Sequence, residues 1–410
     1  MTQTIDTEVL IIGAGPAGSM AAAFLAQQGI SALVIEKTHF PRFVIGESLL
    51  AQSMDLLEKA GLYEAVKNAG FQLKDGAAFS QQDRRSEIRF SEKTTTGHGT
   101  TFQVERECFD KILTDEVQKM GVEIRFGHSV DAVELHSAGA HVDVHDDKGE
   151  TFRIECRFIV DASGYGRVLP RLLNLEAPSD FPVRQAIFTH VSDQLATKEF
   201  DRNKVLISIH PDHSDIWYWL IPFTNGKSSV GVITTPEYQS DLTGNASDKL
   251  WQLISENPHL NALLSDAIEK RPAAMIGGYS SNVTTLSSDR FALLGNAGEF
   301  LDPVFSSGVT VAMKSAELLI APLLRQLKGE TVDWQQEFDA PLAVGVQCFK
   351  AFVEAWYDGS LQKIVLAPSP EGDIVRRQIV SVLAGYAWDE TNAFVRNPKK
   401  YLNLVASQCE

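Results

Sequence analysis

One short stretch does most to limit what this chain can fold into. Residues 8–12 (EVLII) are apolar and β-branched and read as a short buried strand. Gly13-Ala14-Gly15-Pro16-Ala17-Gly18 follows at once, then an Ala/Leu-rich helical run from Ser19 to Gln28, closed by Gly29. Residues 31–36 (SALVIE) are a second apolar strand ending in Glu36. Strand, glycine turn, helix and strand within about 30 residues is the size of a nucleotide-binding βαβ unit. The first glycine permits the tight turn, the second lets a pyrophosphate approach the backbone, and the third lets helix and strand pack closely. The helix N-terminus then faces the anion. Glu36 lies 36 − 18 = 18 positions beyond Gly18. A carboxylate there accepts from both ribose hydroxyls and repels a 2′-phosphate. The plainer alternative for Glu36 is a solvated strand end.

Charge and length exclude several classes. Lys plus Arg is 37 and Asp plus Glu is 53, giving a net charge of −16 that argues against nucleic acid. At 410 residues two or three subdomains are expected rather than one core. Cys108, Cys156, Cys348 and Cys409 show no C-x-x-C and no metal-like spacing, which favours a reduced, cytoplasmic setting. His210 and His213 have no third ligand at a usable spacing, so no metal is expected. The apolar run 309–324 contains Lys314 and Glu317, and no membrane span is expected. Asp6 and Glu8 stand where a signal peptide would carry positive charge.

Further along, Phe109–Met120 reads as a helix and Val122–Phe126 as a strand. Two alternating strands, Ser129–Leu135 and His141–Asp146, precede a buried strand, Phe158–Asp161, that runs into Ala162-Ser163-Gly164. Residues 180–280 are strand-rich, with a helical insert near Lys249–Asn257. Phe291–Leu294 leads into Gly295-Asn296-Ala297-Gly298, and a long helix runs from about Ser307 to Leu327. Residues 336–410 read as helical, with a loop at Pro368–Glu371. Asp161 and Asn296 each stand with small residues at a strand C-terminus, where α/β sheets bind ligands. Arg106 stands just before a helix. One fingerprint served by the whole chain points to FAD in an extended pose, and no second strand–G-x-G-x-x-G–helix is present for a nicotinamide.

The fingerprint, Phe40-Pro41-Arg42 with Ile45-Gly46-Glu47-Ser48, the V-x-R motif at Arg106, and the segment from Gly295 to Gly308 together resemble the flavin-dependent halogenases. These sit within the wider aromatic hydroxylase and geranylgeranyl reductase group. Trp217-Tyr218-Trp219-Leu220-Ile221-Pro222 is similar to that family's W-x-W-x-I-P signature, carried here by Trp217, Trp219 and Pro222. The segment from Gly70 to Gly76 is similar to the one bearing the family's catalytic lysine, which would be Lys74. Phe305 stands where free-tryptophan enzymes carry glutamate, so phenols, pyrroles and carrier-bound substrates fit better than tryptophan. Asn296 stands where the family usually has aspartate.

The resemblance implies an α/β fold: a Rossmann-like FAD-binding domain, discontinuous and of the aromatic hydroxylase type, with a β-sheet substrate domain and a helical C-terminal segment. The expected boundaries are 1–75, 100–175 and 285–335 for the FAD-binding domain, 76–99 and 176–284 for the β-rich domain, and 336–410 for the helical segment. FAD would be held by Gly13, Gly15, Ala17, Gly18, Glu36, Lys37, Arg42, Ser48, Arg106, Asp161, Gly164, Asn296, Gly308 and Val309. The backbone amides of Ser307 and Gly308 would hold halide, with plain helix capping by Ser306 or Ser307 as the alternative. Reduced FAD from a separate reductase, oxygen and halide would yield hypohalous acid, which travels through a tunnel to the Lys74 ammonium beside a small-molecule substrate, acyl-carrier-bound substrates included. Composition alone would place Lys74 in a surface loop. Trp217 and Trp219 would keep substrate off the flavin, or serve as core aromatics. Phe349, Phe352, Trp356, Tyr357, Tyr386 and Trp388 are candidates for the substrate entrance, against core packing. A reductase, dehydrogenase or monooxygenase of the same group, acting on a lipid or polyene, is the rival activity.

Overall fold

Parallel pairing of the apolar strands brings distant motifs to one edge. The computed structural model describes residues 3–195, 200–368 and 372–409. Its seven-stranded sheet runs in the order Glu123–Phe126, Ala32–Glu36, Gln3–Ile12, Thr151–Asp161, Gly139–Asp146, His128–His136, with Phe291–Leu293 also paired to Thr151–Asp161. Ile12 pairs with both Ile35 and Asp161, and Asp161 with Leu293, all in parallel register. Four strands therefore end at the same level. The glycine turn, Glu36, Ala162-Ser163-Gly164 and Gly295-Asn296 all emerge there, at the carboxyl edge where open α/β sheets bind ligands.

The fingerprint helix spans Pro16–Gln27, three residues earlier than the sequence suggests. Proline at its start fits, because its missing N–H has no helical partner at that position anyway. The helix Arg106–Lys119 also begins earlier than expected, so Arg106 is its first residue rather than its neighbour.

A second, eight-stranded sheet has its main path through Ile268–Glu269, Gln185–Ser192, Lys227–Thr234, Trp217–Pro222, Lys204–Ile209, Gly76–Gln81 and Arg84–Arg89. Strand alternation divides the aromatic motif between two cores. Trp217, Trp219 and Ile221 join the main core, while Tyr218 and Leu220 pack with Leu250, Leu253 and Ile254 of the helix Ala246–Ser255. A short pair, Gln72–Lys74 with Thr101–Gln103, carries Lys74.

The helix Ser307–Leu327 is long and apolar enough to cross a membrane by length and composition. Met313, Ala316, Leu319 and Leu323 are fully buried in the main core, as befits a core helix. The C-terminal helices Ala340–Tyr357, Ser360–Leu366, Ile374–Leu383, Ala393–Arg396 and Pro398–Ala406 close over the same core. Of the expected loop at 368–371, residues 369–371 lie outside the described residues.

Candidate active site

A cleft of about 610 Å³ opens at the aligned strand ends. The three fingerprint glycines divide their work by geometry. Gly13 has φ +99°, and a Cβ on it would lie 2.5 Å from the Ala162 carbonyl oxygen. A Cβ on Gly18 would lie 1.9 Å from the Gly13 carbonyl oxygen. Both positions are glycine because backbone meets backbone. Gly15 differs: its Cβ would meet only Arg42 Nη2, at 3.6 Å, and the residue lines the cleft. A side chain there would occupy the space a pyrophosphate needs. Gly18 does not line the cleft, because it is spent on packing.

Glu36 is 7% exposed, which removes the solvated strand-end reading. Its Oε2 accepts from the Ala14 amide at 2.9 Å, and its Oε1 from the Thr38 amide at 3.0 Å and the Thr38 hydroxyl at 2.7 Å. The carboxylate is thereby fixed at the mouth of the glycine turn. Arg42 Nη1 donates to Asp110 at 3.1 Å, and Arg106 forks onto both Asp110 oxygens at 2.7 and 2.9 Å. Burial pulls the Arg106 pKa down, but Asp110 together with Glu47 and Tyr165 offsets it, and the net movement is upward. Lys37, Ser48, Gly164, Asn296, Gly308 and Val309 all border the cleft, as does Ala17.

Asp161 does not. Its carboxylate is fully buried and accepts from the Ser163 amide at 2.9 Å and the Leu169 amide at 2.7 Å, so it holds the turn that presents Gly164. Burial raises its pKa. Ser306 rather than Ser307 borders the cleft; Ser307 is buried behind it. Ser306 sits at φ +57° before the long helix and makes no side-chain cap bond, so neither serine's hydroxyl serves as the cap. Trp217 and Trp219 face the cleft and Pro222 does not. Trp219 Nε1 donates to Ser229 Oγ at 3.2 Å, and its ring lies where a Cβ on Gly231 would be, 2.2 Å away.

Lys74 is 1% exposed. Its Nζ donates to Ser48 Oγ at 2.7 Å and to the Leu49 carbonyl at 2.9 Å, and lies 5.1 Å from the Phe90 ring centre. No carboxylate pairs with it among the described residues. Burial therefore lowers its pKa to about 7. The ammonium borders a chamber of about 20 Å³, walled by Phe79, Ile88, Phe90, Phe305 and Leu383 among others. That is room for about one water. Val205, Ile207, Val304 and Ser306 wall both chamber and cleft, so the two are neighbours across one thin partition. The surface-loop reading of Lys74 does not hold.

Several cleft residues carry no sequence signal. His128, Ser129 and Val130 come from the antiparallel part of the sheet, and Tyr165 and Arg171 from the short segment after Gly164. Glu47 is buried in the cleft wall, and its two oxygens lie 2.9 and 3.0 Å from His190 Nε2 of the second sheet. Only the closed fold brings these together. Of the C-terminal aromatics, Phe349, Phe352, Trp356 and Tyr386 are buried in the main core, so packing accounts for them. Trp356 touches the site indirectly, edge-on to Phe305 at 5.9 Å.

The cleft fits FAD on its own geometry. A glycine whose Cβ would meet only the tip of Arg42 faces it, a fixed carboxylate stands at the second strand end, and the cavity continues past these to Asn296 and Gly308. The FAD binding domain family matches residues 6–337. A flavoprotein/dehydrogenase structure from Cytophaga hutchinsonii is 38% identical, covers 99% of each chain and superposes with a TM-score of 0.95. The triple-substituted flavin-dependent brominase Bmp2 is 25% identical, with a TM-score of 0.81 over 97% of this chain and 100% of that one. Among curated proteins, a 1H-pyrrole-2-carbonyl-(peptidyl-carrier protein) chlorinase of Pseudomonas fluorescens is 29% identical over 86% of this chain and 84% of its own length. The chain thus belongs to the FAD binding domain family, as an FAD-dependent oxidoreductase similar to the flavin-dependent halogenases.

Proposed function

We propose that this protein halogenates an electron-rich aromatic or pyrrole-type substrate, carrier-bound acyl groups included, using reduced FAD from a separate reductase, oxygen and chloride or bromide. The observation that carries this reading is Lys74: an ammonium buried with no carboxylate partner among the described residues, one partition away from the flavin cleft. Burying such a charge is costly, and it persists where chemistry uses it. When bound, reduced FAD with oxygen supplies the oxidising equivalent that converts halide to hypohalous acid. Every other part belongs to the chain. Gly15 and the start of the helix Pro16–Gln27 receive the pyrophosphate, and Glu36 receives the ribose hydroxyls. The amides of Ser307 and Gly308 hold the halide at the helix start, where Ser306, in its left-handed conformation, sets the course of the backbone. Trp217 and Trp219 fill the wall and bar the substrate from the flavin. Lys74 donates hydrogen bonds to hypohalous acid in a site that excludes water. Hypohalous acid then exchanges its halogen for a ring hydrogen, releasing water.

In this reading residues 1–75, 100–175 and 285–335 bind FAD, 76–99 and 176–284 form the substrate-side sheet, and 336–410 wall the chamber. Leu383 in the chamber wall supports the last assignment. The carrier-bound substrate for which the Pseudomonas fluorescens relative is named supports a tethered substrate. The test is an incubation of purified protein with FAD, a flavin reductase, bromide and a panel of phenols, pyrroles and carrier-bound acyl groups. Mass spectra should show bromine isotope pairs that disappear in Lys74→Ala. A flavin dehydrogenase or reductase is the second reading, favoured by the 38% identity to the Cytophaga hutchinsonii flavoprotein/dehydrogenase. Flavin turnover on a lipid or polyene without halogen incorporation would replace the first reading by the second.

A further inference from the structure

The turn 302–306 forms one part of the partition between cleft and chamber, beside Val205 and Ile207. Pro303, Val304 and Ser306 border the cleft, and Val304, Phe305 and Ser306 border the chamber. Its backbone is held in an unfavourable shape, since Ser306 has φ +57° and is not glycine. Such a shape persists only when the surroundings impose it. The turn begins at Asp302, 3% exposed. Its Oδ1 accepts from the Val304 amide at 3.0 Å, and its Oδ2 accepts from the Tyr357 hydroxyl at 2.8 Å. That hydroxyl in turn accepts from Trp217 Nε1 at 3.1 Å. The Arg184 guanidinium lies 4.1 Å over the Tyr357 ring, and its Nη1 donates to Asp215 Oδ2 at 3.1 Å. One buried carboxylate thus ties the partition turn to the last residue of the helix Ala340–Tyr357 and to the first residue of the aromatic strand.

We propose that Asp302 and Tyr357 are positioning residues for the anion: the chain Trp217–Tyr357–Asp302–Val304 clamps the partition turn in the shape that aims the Ser307 and Gly308 amides at a halide. The clamp acts at a distance from the reacting atoms, since neither Asp302 nor Tyr357 borders the cleft. It also explains an otherwise unmotivated polar set in the main core. Burial raises the Asp302 pKa to about 6, and the Tyr357 hydroxyl, the Val304 amide, the Arg184 charge and the Tyr279 hydroxyl hold it below where burial alone would put it. An anionic acceptor makes each bond of the chain stronger than a neutral one would be. The helical C-terminal segment gains a role here beyond walling the chamber: its register sets the anion site. This inference rests on the halide reading given above.

The experiment is a bromide titration of the FAD-loaded protein, read by perturbation of the flavin absorbance. FAD content and melting temperature are measured alongside. Tyr357→Phe keeps the ring over which Arg184 lies and removes only the hydroxyl. Loss of a hydrogen bond to a buried charge should weaken bromide affinity about tenfold, with FAD content unchanged. Asp302→Asn keeps an acceptor for the Val304 amide but reverses the bond to Tyr357, and should weaken bromide to a similar extent. It serves if Tyr357→Phe loses FAD. In turnover both variants should raise the KM for bromide more than they lower kcat. Wild-type bromide affinity in a folded, FAD-loaded variant would overturn the clamp and leave the halide site standing. Absence of any bromide response in wild type would overturn the halide site and the clamp with it.

Discussion

Replacing Lys74 by methionine should stabilise the protein while sharply lowering halogenation. The two side chains are similar in length, but methionine brings no charge into the chamber. Burial lowers the Lys74 ammonium from 10.5 to about 7. At about 1.4 kcal/mol per pH unit, carrying that group into the folded core at pH 7 costs about 4 kcal/mol relative to the unfolded chain. Methionine relieves this and forfeits the bonds to Ser48 Oγ and the Leu49 carbonyl, worth about 1 kcal/mol each, with a further penalty for the carbonyl left bare. The balance is a gain of about 1–2 kcal/mol. The pH dependence is the sharper test. The folded-state pKa lies below the unfolded one, so the unfolded chain binds more protons between about pH 7 and 10.5. Wild-type stability should therefore gain a rising contribution across that window, and the methionine variant should lack it. Melting temperatures of both proteins at pH 7 and pH 9.5, at equal FAD loading, give the comparison. If both respond alike to pH, or if the variant melts well below wild type at pH 7, the ammonium is not buried in the way its surroundings imply. Product halogenation should fall about 10²–10³-fold, the usual loss for a positioned donor. A methionine variant that halogenates at the wild-type rate would refute the role of the lysine.

In wild type the halogenation rate should decline as pH rises through about 7, where Lys74 loses its proton, and a rate that keeps climbing to pH 9 with substrate saturated would contradict this. Lys74→Arg should not restore activity, because a chamber of about 20 Å³ has no room for a planar guanidinium; product counts by mass spectrometry decide it. Gly15→Val should abolish FAD binding, since the added side chain projects into the cleft, and chromatography of the released cofactor should find none. NADH or NADPH alone should bleach the bound flavin slowly in stopped flow, for lack of a second dinucleotide fingerprint; bleaching at catalytic rates would favour the dehydrogenase reading.

The local signals were strong wherever chemistry is written within a few consecutive residues. The glycine turn, the strand-end Glu36 and the long helix from Ser307 could be read because backbone sterics and hydrophobic period act over short spans. The helices at Pro16 and Arg106 begin one turn before their apolar period does, since the first turn of a helix is not yet periodic. Asp161 looked like a ligand-facing residue, but its position at a strand end could not show that two backbone amides would occupy its carboxylate. Lys74 is the clearest divide. Its neighbours in sequence include Gln72, Asp75 and Gly76, and only motif resemblance points it away from a surface loop.

By itself the sequence determined a dinucleotide-binding α/β chain, a single fingerprint, and an acidic surface unsuited to nucleic acid. Tertiary structure decided how the motifs meet. Parallel register brings Ile12, Ile35, Asp161 and Leu293 to one level, and so assembles the cleft from four distant strands. Closure of the second sheet and the C-terminal helices buries Lys74, joins Glu47 to His190, and links Trp217, Tyr357 and Asp302 at one turn. The physical reason is that burial and hydrogen bonding between remote segments depend on where the chain returns in space. Propensity and pattern are local and do not encode the partner.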